Sequence, residues 1–206
     1  VDVFQDVMQK NEKYIFPVKT YGEIIANEKQ GKMSALMTIE EGGCCKGEIQ
    51  NLETLYQLGA RMMTLTWNYP NELASPNIFD KDSLLSAKGF PIFDASVGLT
   101  ERGFLFIERM EELGMIIDVS HLSDAGFWDI AKHTKKPFVA SHSNARALCG
   151  HARNLTDDMI RVIADRGGVI GLNCYGRFLN AVNDDSSSVA RLAEHARHIL
   201  NVGGGE

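Results

Sequence analysis

The sequence predicts an α/β fold in which parallel strands alternate with helices, of the (β/α)8 TIM-barrel type. Three observations predict it. Short apolar runs alternate with amphipathic segments along the chain, the order that gives parallel strands joined by right-handed helical crossovers. A doubly wound sheet and a barrel both fit that order, but the Gly-rich phosphate fingerprint of the doubly wound fold is absent after every strand, which favours the barrel. Third, five strands are read where a complete barrel has eight in about 250 residues. The 206 residues are therefore expected to be a single partial barrel domain, 1–206, taken from the middle of a longer barrel and lacking its first and last strands.

The elements follow in order. Residues 18–30 read as a helix. Residues 33–39 (MSALMTI) read as a strand, and residues 48–58 as a helix with Ile49, Leu52, Leu55 and Tyr56 on one face and Gly59 at its C-terminal cap. Residues 61–66 (RMMTLT) form a second strand. Residues 67–99, with Pro70, Pro76 and Pro91, lack a period and read as a loop excursion. Residues 101–113 space Phe106, Ile107, Met110 and Leu113 for one helix face, and Gly114 breaks that helix. Residues 115–119 form a third strand. Ser123 then caps a helix over 124–133 that turns Phe127, Ile130 and Ala131 inward. Residues 137–140 form a fourth strand. Thr156 caps the next helix, whose first turn carries Asp157 and Asp158, where the helix dipole favours negative charge. Residues 169–173 form a fifth strand, residues 184–188 a polar loop, and residues 189–201 a last helix.

Composition narrows the function. Lys and Arg number 21 against 27 Asp and Glu, a net charge of −6 with no basic cluster, so nucleic acid is not an expected partner. No apolar run approaches the roughly 18 residues of a membrane span, and no secretory leader is read. Cys44, Cys45, Cys149 and Cys174 form no CxxC pair, which points to a reducing compartment rather than a disulfide scaffold. A cytoplasmic location is the expectation. Cys149 and Cys174 read as small buried hydrophobes.

In parallel α/β folds the chemistry sits at the carboxyl ends of the strands. There the first strand runs into Glu40-Glu41-Gly42-Gly43, the third into Asp118-Val119-Ser120-His121, and the fourth into Ser141-His142-Ser143. Two imidazoles and a carboxylate from three strands are a common divalent-metal set, although a single His at a strand end is more often structural. His195 and His198, three apart beside Glu194 and Arg197, read as a solvated helix face. His133 sits near a helix end, and His151 lies in a loop with no assigned role. Arg146 and Arg153 could clamp a substrate carboxylate, and on pattern alone both read as surface arginines. Trp67 and Tyr69 follow the second strand and could wall a pocket or anchor the loop. The serines flanking the histidines sit in no nucleophile elbow.

At these residues the sequence resembles the membrane (renal) dipeptidase family of zinc metallopeptidases. The resemblance is carried by Asp118-Val119-Ser120-His121, by Ser141 through Arg146, and by Arg153-Asn154-Leu155-Thr156-Asp157-Asp158, with Ile39 through Gly43 and Leu58 through Thr66 in support. It extends from about Ser34 to Phe178. It implies a (β/α)8 metallo-hydrolase barrel with two zinc ions that cleaves dipeptides by attack of a metal-bound hydroxide, and homodimers would fit. Glu40 would bridge both metals, chosen over Glu41 because it directly follows the apolar strand. His121 and His142 would hold the second metal, and Arg153 would bind the substrate's terminal carboxylate. Three departures stand out. The family's His-x-Asp pair and its later acid/base Asp are not found in this stretch. Trp67 stands where the family often has a substrate-contacting His. The alternatives are a non-catalytic metal-binding fragment of such a barrel, or a related barrel hydrolase acting on cyclic amides.

Overall fold

The computed structural model describes residues 1–77, 96–180 and 186–205. Helices and parallel strands alternate along them: α1 (Asp2–Lys10), β1 (Ile15–Val18), α2 (Tyr21–Lys29), β2 (Met33–Leu36), β3 (Thr38–Glu40), α3 (Ile49–Leu58), β4 (Met62–Thr64), α4 (Glu101–Leu113), β5 (Ile116–Asp118), α5 (Asp124–His133), α6 (Asp157–Asp165), a single turn α7 (Gly176–Leu179) and α8 (Val189–Gly203). β1 pairs with β2, and β3, β4 and β5 pair in sequence order, all parallel. Two single parallel bridges continue the order, Asp118 with Val139 and Ala140 with Ile170. Within each of these two sheets the strands lie in sequence order, with no reversal among the described residues.

The register places one row of residues at the carboxyl ends. Glu40 pairs with Thr64, Thr64 with Asp118, and Asp118 with Val139. Three strands, β3 to β5, therefore present polar residues at one level, with the Val139 bridge beside them. Helices α3 to α6 cover the sheet with apolar faces, and Leu52, Phe106, Ile107, Met110, Phe127, Ile130, Ile160 and Ile163 pack with Met63, Ile117 and Phe138 into one core. Phe127 meets Phe138 edge to face, with ring centroids 5.6 Å apart. Caps mark the helix starts. Thr100, Ser123, Thr156 and Ser188 each accept a first-turn backbone N–H, and Thr20 with Glu23 forms a capping box.

Several expectations are corrected. α1 and β1 are present where no element was read, and the helix expected over 18–30 begins only at Tyr21 because Val18 still belongs to β1. The strand expected over 33–39 is broken at Met37 into β2 and β3. The fourth and fifth strands shrink to single bridges at Val139 and Ala140 and at Ile170. The ladder stops there because the next residue, Ser141, gives both its backbone amide and its hydroxyl to Asp118. Gly171 lies so close to this turn that a Cβ would fall 2.0 Å from the Ser141 carbonyl oxygen, a gap only glycine fits. Parts of the expected loops over 67–99 and 184–188 lie outside the described residues.

His195 is a further correction. It is fully buried rather than solvated. Its Nδ1 accepts the Ala145 backbone N–H at 3.1 Å, and its Nε2 lies 2.9 Å from the Leu179 carbonyl oxygen, so it ties α8 to the loop after Ala140. Only the neutral ring can accept at Nδ1 and donate at Nε2, and burial holds its pKa below the ordinary 6.5. The unfolded chain takes up that proton first, so the folded state loses stability as pH falls below about 6.5 toward the folded value. Denaturant titrations across pH 5–8 are expected to show this loss. His195→Phe is expected to remove part of the pH slope and to cost about 1–3 kcal/mol at pH 8 by stranding two buried backbone groups.

Candidate metal centre

Three side chains from three strand ends converge. Glu40 ends β3, His121 lies three residues beyond β5, and His142 follows the Ala140 bridge. One donor atom from each lies within 4.8 Å of the others, the one such group among the described residues. His121 Nε2 and His142 Nε2 are 2.8 Å apart, and Glu40 Oε1 lies 3.4 Å and 3.6 Å from them. His121 reaches this place through a left-handed backbone (φ 68°), uncommon for a residue with a Cβ and frequent at functional turns. The turn is braced by its Leu122 N–H donating to the Val119 carbonyl and by Asn77 N–H donating to the His121 carbonyl.

The far nitrogen of each ring is engaged as well. His121 Nδ1 is 3.0 Å from Asn68 Oδ1, and His142 Nδ1 is 2.7 Å from Ser141 Oγ. Partners at Nδ1 leave the Nε2 atoms for the centre, as in metal-ligating histidines. Burial, with the Arg153 cation adding to it, lowers the pKa of both rings, so both are neutral and able to ligate near pH 7. A carboxylate oxygen and two neutral imidazole nitrogens fit zinc or a similar divalent ion.

Beneath the ligands lies a residue the sequence left without a role. The buried Asp118 carboxylate accepts the Ser120 and Ser141 amides at Oδ1 (3.0 and 2.9 Å) and the Thr64 and Ser141 hydroxyls at Oδ2 (2.7 and 2.5 Å). It thereby binds β4, β5 and the Ser141 turn together. The usable signal was its place at the end of an apolar strand, three residues before His121.

The remaining candidates sit around this centre. Arg153 is 5% exposed, not a surface residue. Its Nη2 donates to the His142 carbonyl at 3.2 Å, its guanidinium lies 5.4 Å from the Phe178 ring centroid, and its buried Nε has no partner among the described residues. Burial lowers its pKa to about 10, which leaves it cationic at neutral pH. Arg146 instead makes a two-pronged pair with Asp124 at 2.6 and 2.7 Å. Trp67 stands 6.3 Å from the His121 ring and 6.0 Å from Tyr69, both aromatic side chains partly open to solvent. Glu41 does not join the metal group. Its backbone is left-handed (φ 95°), and its carboxylate accepts the Gly43 amide and the Asn71 side-chain amide. Cys149 is buried as expected, whereas Cys174 is exposed.

Comparison with known proteins agrees with this chemistry. The family model described as membrane dipeptidase (peptidase family M19) matches residues 1–206. A Klebsiella pneumoniae protein named for its place in the pqqA 5′ region is 37% identical over 85% of this chain and 63% of its own length. Dipeptidase aclJ of Aspergillus oryzae is 27% identical over 98% of this chain and 46% of its own. The crystal structure of a metallo peptidase from Rhodobacter sphaeroides, liganded with a phosphinate mimic of the dipeptide L-Ala-D-Ala, superimposes with a TM-score of 0.82 at 26% identity, over 92% of this chain and 52% of that one. The chain thus spans between about half and two thirds of these relatives' lengths.

The two adjacent glutamates separate cleanly by experiment. Glu40→Gln is expected to weaken zinc binding at least about tenfold with little change in the melting of the metal-free protein. Glu41→Ala is expected to lower unfolding free energy by about 1–2 kcal/mol with zinc affinity near that of the wild type. Competition titration and calorimetry read the two effects.

Proposed function

The chain belongs to the membrane dipeptidase family, peptidase family M19, and from that premise we propose that the protein is a zinc-dependent dipeptidase whose parallel strands are staves of a (β/α)8 barrel. The observation that carries this reading is the convergence of Glu40, His121 and His142 at the carboxyl ends of successive strands, with each Nδ1 engaged on its far side. When bound, zinc supplies a Lewis acid and lowers the pKa of its water toward about 7. A second zinc shared through Glu40 would take its other ligands from beyond the described residues.

The chain's own residues supply the rest. His121 and His142 arrive neutral, so they present lone pairs at neutral pH without losing a proton first. Arg153, held at the back of the centre by the His142 carbonyl and the Phe178 ring, offers a fixed cation for the substrate's terminal carboxylate. Its Nε, without a partner among the described residues, and its burial raise the value of any anion that reaches it, because a desolvated cation gains most from a paired charge. Trp67, beside the His121 ring, and Tyr69, beside Trp67, would shape the space for a substrate side chain. A substrate spanning Arg153 and the centre therefore needs a free carboxylate close to the scissile bond, which a dipeptide has and a cyclic amide lacks.

Turnover of free dipeptides, C-terminally amidated dipeptides and cyclic amides by the zinc-loaded protein tests the reading. Free dipeptides are expected to be the substrates. Arg153→Lys is expected to raise their KM about tenfold or more, the equivalent of losing one charge-assisted hydrogen bond of about 1.5 kcal/mol or more. Equal or better turnover of the amidated or cyclic compounds would contradict it.

A further inference from the structure

We propose that Asp118 and Ser141 form a positioning relay that sets the tautomer of His142, holding its proton on Nδ1 and its Nε2 lone pair toward Glu40 and His121. The inference rests on the metal-site reading above only for the purpose the relay serves. The hydrogen bonds carry the relay itself.

Ser141 has one hydroxyl proton and three neighbours that could use it, the farthest being Ser120 Oγ at 3.4 Å. Its Oγ lies 2.5 Å from Asp118 Oδ2 and 2.7 Å from His142 Nδ1. A carboxylate can only accept, and all four Asp118 contacts are donors. The Ser141 proton therefore goes to Asp118, in the short charge-assisted bond expected of such a pair. The oxygen is left with lone pairs toward His142, and the imidazole must supply the proton from Nδ1. The Ser120 hydroxyl fixes the same residue from behind by accepting the His142 backbone N–H at 3.1 Å.

His121 is held differently. Its Nδ1 partner is the Asn68 amide, which turned over presents a donor where it now presents an acceptor. His121 can thus take either tautomer and His142 cannot. With the Asn68 amide turned over, His121 could donate from Nε2 to the lone pair of His142, which would close the 2.8 Å contact between the two Nε2 atoms. For both Nε2 atoms to hold a divalent ion, His121 would carry its proton on Nδ1 toward Asn68 Oδ1, as His142 carries its own toward Ser141 Oγ.

Asp118→Asn tests the chemistry by reversing it. Oδ1 of the new amide would stay on the Ser120 and Ser141 backbone N–H groups, which cannot reverse, and its NH2 would face the Thr64 and Ser141 hydroxyls, which can. Ser141 then accepts from Asn and donates to His142 Nδ1, and the imidazole proton moves to Nε2, where it blocks metal. Ser141→Ala removes the relay while leaving three of the four Asp118 bonds. Thr64→Val removes a bond to the same carboxylate oxygen without touching Ser141, and so reports what a merely structural role would do.

Nitrogen-15 histidine NMR on the metal-free protein, with zinc competition titration and thermal melting alongside, reads all three variants. Expected are an Nδ1–H His142 in the wild type, a switch to Nε2–H in Asp118→Asn, a loss of bias in Ser141→Ala, and zinc affinity lower by about 10- to 100-fold in both. Thr64→Val is expected to melt earlier with tautomer and zinc affinity unchanged. An Nε2–H His142 in the wild type would overturn the relay. So would an Nδ1–H ring retained in both Asp118→Asn and Ser141→Ala, or an equal shift in Thr64→Val. The expected tautomers in a wild type that binds no zinc would uphold the relay and overturn the metal assignment instead.

Discussion

Two uncharged rings and a carboxylate from three separate strands come within a few ångströms because one buried carboxylate fastens the strands beneath them. Asp118 ends β5, takes the Thr64 hydroxyl from β4, and takes both the amide and the hydroxyl of Ser141 from the next turn. A buried carboxylate is costly unless its oxygens are satisfied, and four donors satisfy this one. The same bonds end the ladder at Ala140 and start the turn that carries His142. The parallel register then places Glu40 in the same row as Thr64 and Asp118. The site is a consequence of where the sheet stops.

Much of this was legible in the chain. The helices over 101–113 and 124–133 show complete apolar periods, the second with its cap at Ser123, and they stand where the pattern put them. Glu40, His121 and His142 were visible as polar residues closing apolar runs, and the structure brings those three together while turning Glu41 away to cap Gly43. The strands were less legible at 137–140 and 169–173. Their apolar residues are needed for the core, as Phe138 shows, but their backbone pairing is limited to single bridges by the Ser141 turn, and no local pattern encodes a bond to a carboxylate 23 residues away.

Two polar residues misjudged on pattern alone share one cause. His195 sits among Glu194, Arg191 and Arg197 and reads as surface, yet it is buried because the Ala145 amide and the Leu179 carbonyl need a partner of its shape. Arg153 reads as surface, yet it is enclosed against Phe178 and the His142 carbonyl. In both cases a polar side chain is buried to satisfy groups distant in sequence, and composition and period carry no trace of that. β1 was missed for a different reason: its four-residue apolar run contains Pro17, and a proline within a run argues against a strand.

The claim on which the functional reading depends is that Glu40, His121 and His142 hold one divalent ion between them. Crystals of the zinc-loaded protein, with diffraction collected on both sides of the zinc absorption edge, measure this directly. An anomalous peak about 2.0–2.2 Å from a Glu40 carboxylate oxygen and from Nε2 of both histidines is the expected result. Zinc bound elsewhere with the three side chains still hydrogen-bonded to one another, or no peak at saturating zinc, would contradict it.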